Sequence, residues 1–132
     1  IKSYDMWVDE YWGSKQATLA EYDAWSVGDY ITLTENNFFD WVKSPEEFDF
    51  MYFDINNTGE KLEMLYDAVK NQIKDGSVVF FEGGSKERDL HGVGGRNMND
   101  LKGEIGYKIL TGNVKYSASA IYNPNIYNLD FS

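Results

Sequence analysis

FDFMYFDINNTGEKLEMLYDAVKNQIKDGSVVFFEGG, residues Phe48 to Gly84, reads as strand, helix, strand. Two continuous apolar runs, Phe50 to Phe53 and Val78 to Phe81, flank one amphipathic segment. A continuous run, unlike an alternating one, predicts a strand covered on both faces, as in a parallel sheet. Between the runs, Leu62, Leu65, Tyr66, Val69 and Ile73 recur at helical spacing and form one apolar stripe. Asn57 with Glu60 three residues on makes a capping box, and Gly76 supplies the left-handed position that ends the helix. The whole is a β-α-β unit whose crossover is expected to be right-handed. Both strands end in a carboxylate, Asp54 in FDIN and Glu82 in FEGG. Parallel strands would carry both acids to one carboxyl edge, where open α/β sheets bind ligands. Because a parallel pair cannot cover itself, the rest of the chain must add strands and helices.

Composition narrows the partners. At 132 residues and 15.2 kDa the chain suits one domain with a real core. An aromatic fraction of 17% is high for a mean hydropathy of -0.52, so some rings are expected to line a pocket or an interface. A net charge of -10 argues against direct nucleic-acid binding, which needs a basic patch. There is no cysteine, so disulfides and thiolate chemistry are absent. No apolar run reaches the length of a membrane span, and the expectation is a cytoplasmic protein without a membrane partner. The chain begins at Ile1 without a methionine, which leaves room for sequence upstream.

Outward from the central unit, Tyr4, Trp7, Val8, Tyr11 and Trp12 recur at spacings of three and four and predict a short helix before Gly13. Ser14 caps a second helical stretch through Leu19, Tyr22 and Trp25. Residues 1–27 thus read as an aromatic-rich helical segment, and residues 28–132 as the main domain. Gly28-Asp29 marks a turn before YITLT, a short strand that ends at Glu35, Asn36 and Asn37. Phe38 to Val42 makes one or two helical turns, and Ser44-Pro45-Glu46-Glu47 carries a helix-start signal. From Ser85 to Gly103 periodicity fades, with a Gly-rich loop at Gly92 to Gly95 and a helical turn over Asn97 to Leu101. Gly106 to Leu110 and Val114 to Tyr122 flank Thr111-Gly112-Asn113 as an antiparallel hairpin, and an irregular tail follows, broken at Pro124.

A serine-histidine-carboxylate site is poorly served, because His91 is the only histidine and sits in the Gly-rich loop. A lone histidine without cysteine also argues against zinc. Asp54, Glu82, Glu87 and Asp89 have the oxygen chemistry magnesium prefers, yet acids on a solvated face look the same, and no metal is assigned. Asp54, directly after FMYF, either caps the following turn or accepts from an ammonium or hydroxyl group held over the strand ends. Gly83-Gly84 permits either a close ligand approach or a plain turn. Lys86 and Arg88 are the nearby positive charges.

These segments together resemble the carboxyl-terminal half of a class I S-adenosylmethionine-dependent methyltransferase. That family has a strand ending in an acid, a helix, a strand of the VVFFE type and a closing antiparallel hairpin; Asp54, Val78 to Glu82 and Ile105 to Tyr122 match in turn. The resemblance covers roughly residues 28 to 122. It implies a partial Rossmann-like three-layer α/β sandwich, a mostly parallel sheet closed by a C-terminal antiparallel hairpin. It implies S-adenosylmethionine as cofactor, with Asp54 and Glu82 catalytic and with Glu35, Asn36, Asn37, Phe38, Asp54 and Asn56 contacting the cofactor. The implied reaction is methyl transfer to an oxygen or nitrogen of a small molecule or sugar. The family's first strand, its Gly-rich loop and the ribose-binding acid after its second strand find no counterpart in this reading. Those elements would then be absent, or supplied by a partner chain or a second copy. Two alternatives stand beside this one: a non-catalytic interaction or assembly protein that keeps part of the fold, and another Rossmann-like enzyme, such as a nucleotide-dependent sugar enzyme.

Overall fold

The computed structural model describes residues 1–5, 14–55, 58–90, 96–111 and 117–129. The chain forms two compact units, Ile1–Ser44 and Pro45–Ser132.

In the amino-terminal unit, Lys2–Asp5 is a strand, β1, where the sequence pattern predicted the start of a helix. Helical spacing is a local count and cannot see a ladder partner 30 positions along. The register with β2 (Thr32–Glu35) is parallel, from Lys2↔Thr32 to Asp5↔Glu35. Two contacts extend that ladder: the terminal ammonium of Ile1 donates to the Tyr30 carbonyl (2.8 Å), and the Thr32 N–H donates to the Ile1 carbonyl (2.8 Å). Trp7, Val8, Tyr11 and Trp12 lie outside the described residues. Between the strands runs α1 (Lys15–Ala24), capped as expected by Ser14, whose hydroxyl accepts from the Ala17 N–H at 3.1 Å. A single 3-10 turn, Gly28–Tyr30, occupies the predicted turn, and α2 (Phe38–Trp41) forms one turn where one or two were expected.

The carboxyl-terminal unit holds the β-α-β motif that the sequence announces. It consists of β3 (Phe50–Phe53), α3 (Gly59–Asp75) and β4 (Val78–Glu82). β3 and β4 are parallel, in the register Phe50↔Val78 through Phe53↔Phe81. Gly76 ends α3 at φ +123°, a conformation that a side chain would strain. At the other end the cap differs from expectation. The Thr58 hydroxyl accepts from the Lys61 N–H at 3.4 Å, which puts Glu60 one position too early to close a capping box. Glu60 instead accepts from the main-chain N–H of Arg96, and Asn57 lies outside the described residues.

The helix signal at Ser44-Pro45-Glu46-Glu47 is overridden, because its main-chain groups are taken by distant side chains. The Gln72 amide donates to the Glu46 carbonyl (3.2 Å) and accepts from the Phe48 N–H (3.1 Å), while the Ser77 hydroxyl donates to the Phe48 carbonyl (2.5 Å). These bonds hold the segment out of a helix as it enters β3.

After β4 come α4 (Lys86–Leu90), a 3-10 turn over Met98–Leu101, α5 (Lys102–Ile105), β5 (Lys108–Thr111) and β6 (Ala118–Ile121). The strand order is β3-β4-β6-β5. β6 runs antiparallel to both β4 and β5, with an irregularity between Ile109 and Thr111. This four-stranded sheet is therefore mixed, where the reading expected a mostly parallel one; the closing hairpin contributes half the strands. The tail packs irregularly, as expected. Asn123 Nδ2 donates to the Lys74 carbonyl (2.8 Å), and the Tyr127 hydroxyl donates to the Gly76 carbonyl (2.9 Å).

Phe53, Val79 and Phe81 are buried, as is the α3 stripe of Leu62, Leu65, Val69 and Ile73. Each such side chain contributes about 1.5–3 kcal/mol on leaving water. The opposite face does not match the expectation of two covered faces. Phe50 and Tyr52 are each 61% exposed, and Phe50 meets Phe80 at a ring separation of 5.3 Å. An unbroken apolar run states that both faces are apolar, and here only one of them reaches the core. Among the described residues no helix is long and apolar enough to cross a membrane.

Candidate functional site

Side chains alternate along a strand, so Phe50, Tyr52 and Asp54 share one face, as do Val78, Phe80 and Glu82. The parallel register, carried one step past Phe53↔Phe81, sets Asp54 beside Glu82 at the carboxyl end of both strands. Asp54 is exposed and Glu82 half-buried. Tyr52 stands one pleat behind them. Desolvation first, and then the negative charges of Asp54 and Glu82, raise its phenol above the ordinary value. Tyr52 therefore remains a neutral hydrogen-bond donor throughout the neutral range. Two carboxylates, a phenol and the faces of Phe50 and Tyr52 suit a ligand that carries positive charge and hydroxyl groups. Sequence reading singled out both acids and missed Tyr52, though the period of two from Asp54 was there to find it.

The Gly83-Gly84 turn that follows β4 is a structural device. Gly83 lies at φ +115° and Gly84 at φ +93°. A Cβ on Gly84 would sit 2.9 Å from both Ser119 Oγ and Tyr107 Cε2, so close packing, rather than ligand access, excludes a side chain there. The Gly83 N–H donates to the Ser117 carbonyl (2.7 Å), and its carbonyl accepts from the Ser119 hydroxyl (2.6 Å). The Gly84 N–H donates to Asp89 Oδ1 (3.3 Å), and its carbonyl accepts from the buried Tyr107 hydroxyl (3.1 Å). Ser85 caps α4 by accepting from the Arg88 N–H at 3.1 Å, and its hydroxyl also bonds that of Ser117.

In the amino-terminal unit, Glu35, Asn36, Asn37 and Phe38 follow one another off the end of β2. Glu35 is exposed. Asn36 Oδ1 accepts from the Asn37 N–H and Asn37 Oδ1 from the Phe39 N–H, each at 2.8 Å, so both amides shape the turn into α2. Phe38 lies edge-on to Phe39, with ring centroids 5.4 Å apart. Asn56, His91 and Gly92 to Gly95 lie outside the described residues. Among the described residues no group of three or more His, Asp or Glu is placed to hold a metal ion. A shallow depression lined by Glu47, Asp49, Gln72 and Asp75 opens at the amino-terminal end of β3, away from the carboxylate rim.

No protein-family model matches the sequence, and no curated protein matches it. Among solved structures, the fold is similar to one described as the crystal structure of a putative O-methyltransferase from Klebsiella pneumoniae. The TM-score is 0.59 at 13% identity. The match covers 92% of this chain, reaching beyond residues 28–122, and 61% of that chain. The fold is thus a mixed α/β arrangement of the kind seen in methyltransferases.

Proposed function

We propose that the chain takes part in S-adenosylmethionine-dependent methyl transfer to an oxygen or nitrogen of a small-molecule or sugar acceptor. The observation that carries this reading is the meeting of Asp54 and Glu82 at the carboxyl end of two parallel strands, beside Tyr52. The residues suit the cofactor, because carboxylates and aromatic faces complement an ammonium and a sulfonium centre. When bound, the cofactor supplies an electrophilic methyl group. Asp54 accepts from its ammonium group, and Glu82 orients the acceptor and takes up the proton that its nucleophile loses. Tyr52 donates its hydroxyl proton in a hydrogen bond without ionising. Much of the rate gain in such a site comes from positioning the reacting atoms.

Glu35 ends β2 of the amino-terminal unit. The proposed setting is the cytoplasm.

Isothermal titration calorimetry with S-adenosylmethionine and S-adenosylhomocysteine tests the reading. Binding in the micromolar range is expected, weakened about tenfold, or roughly 1.4 kcal/mol, by Asp54→Asn. Unchanged affinity in that variant removes Asp54 from the site. A second reading, a non-catalytic interaction protein, is favoured by the exposure of Phe50 and Tyr52, and silence in the calorimeter would support it.

A further inference from the structure

The turn between Glu82 and α4 is built more tightly than a connection requires. All four main-chain polar atoms of Gly83 and Gly84 are engaged, by Ser117, Ser119, Asp89 and Tyr107. Two consecutive glycines at positive φ would otherwise be the most pliable point on the rim. Stiffness cannot come from side chains at these positions, since a Cβ on Gly84 has no room. It comes instead from the surrounding network, and Asp89 is the carboxylate in it. One oxygen of Asp89 accepts from the Gly84 N–H at 3.3 Å, and the other from the Asn99 N–H at 2.9 Å, so one side chain ties the turn to the 3-10 segment. Tyr107 reinforces the same tie by offering its hydroxyl to the carbonyls of Met98 (2.6 Å) and Gly84 (3.1 Å).

We infer that Asp89 is a positioning residue: through the Gly83-Gly84 turn it sets the direction in which the Glu82 carboxylate faces a ligand at the strand ends. For ligand binding this rests on the methyl-transfer reading; for the orientation of Glu82 it does not. Glu82 immediately precedes the turn, and the N–H of the peptide that joins it to Gly83 is held on Ser117. At Gly84 the carbonyl is held by the Tyr107 hydroxyl and the N–H by Asp89, which is the member of this network that changes charge with pH. Among the described residues, the groups facing Asp89 are the Arg88 guanidinium beside it, Asp100 on the neighbouring 3-10 turn and the Tyr107 phenol. Burial holds the Asp89 carboxyl above the usual aspartate range, outweighing the two N–H donors. The tie is therefore the first part of this network to loosen as the solution is acidified.

Three NMR measurements on the full chain decide the matter. In the wild-type protein, the Gly84 and Asn99 amide shifts should titrate together, with a midpoint above the ordinary aspartate value of about 3.9. In Asp89→Asn, exchange of the Gly84 and Asn99 amides should rise about tenfold while Leu65 and Val69 amides keep their protection. The Glu82 carboxyl carbon should change its chemical shift in that variant, and the Asp54 carboxyl carbon should not. An unmoved Glu82 carboxyl overturns the inference, as does Gly84 exchange equal to wild type. Should Asp89→Asn not fold, the wild-type titration decides alone: Gly84 and Glu82 resonances that fail to follow the Asp89 carboxyl overturn it. Calorimetry with S-adenosylmethionine runs separately. No binding to the wild type defeats the methyl-transfer reading while leaving the NMR result to stand, whereas wild-type affinity retained in Asp89→Asn confines the role to the free protein and overturns its part in ligand binding.

Discussion

Tyr107 is buried to 2% exposure, with its ring edge-on to Phe81 at 5.3 Å and its hydroxyl on two carbonyls. Tyr107→Phe leaves both carbonyls short of a donor, and denaturant unfolding should show a loss of about 1–3 kcal/mol. Gly84→Ala meets two obstacles, φ +93° and atoms 2.9 Å from the new Cβ, and should destabilise by more than about 2 kcal/mol in the same assay. The Asp89 carboxyl gives a sign that can be checked. Because its native pKa is raised, the native state binds more protons than the unfolded chain between the two values, so its contribution to stability falls as pH rises through that window. Glu60 works in the opposite sense. The Arg96 N–H, chiefly, lowers its carboxyl, so the stability it adds is present above the ordinary carboxylate range and lost as pH falls through the depressed value. At this scale the sequence exposes residue parity well, which is why Asp54 and Glu82 could be paired in advance. It cannot distinguish a glycine pair that admits a ligand from one that admits Tyr107, because Tyr107 lies 23 positions away.

Among the elements, α3 is the most legible and also the most heavily braced. Its stripe, its length and its stop at Gly76 follow from spacing alone. Its start does not, since Arg96 reaches it from 36 positions away. The Gly59 N–H donates to the Arg96 carbonyl at 2.9 Å, and a Cβ on Gly59 would stand 2.2 Å from that oxygen. The Arg96 guanidinium pairs with Glu63 at 2.8 Å and also with Glu104, joining α3 to α5. These pairs are partly exposed, so they add little to stability and salt should weaken them. Leu65→Ala, at 0% exposure, should cost about 2–5 kcal/mol by urea unfolding. Gly103→Ala in α5 should instead stabilise by up to about 1 kcal/mol, because nothing lies within 4 Å of its Cβ and its φ is not positive. The strand β1 and the non-helical segment 45–48 were illegible for one shared reason. Both owe their conformation to partners far along the chain, which outweigh local helix signals.

For the whole molecule, the same device occurs in each compact unit among the described residues: parallel strands separated by a helix, with an acid at or just past the carboxyl end of each strand. In the first unit the register aligns Asp5 with Glu35, and in the second it brings Asp54 to Glu82. Helical spacing in the aromatic stretch concealed the first of these motifs, so the likeness to a methyltransferase fold extends further than residue patterns suggested. The chain spans 61% of the solved relative, and an activity of its own is the proposal to be tested. Backbone amide NMR during titration with S-adenosylmethionine tests it most directly. Saturable shift changes centred on Tyr52, Asp54, Glu82 and Gly83, and abolished by Asp54→Asn, are the predicted result. Changes confined to the amino-terminal end of β3, or no saturable change at millimolar cofactor, would contradict a ligand site at the carboxylate rim.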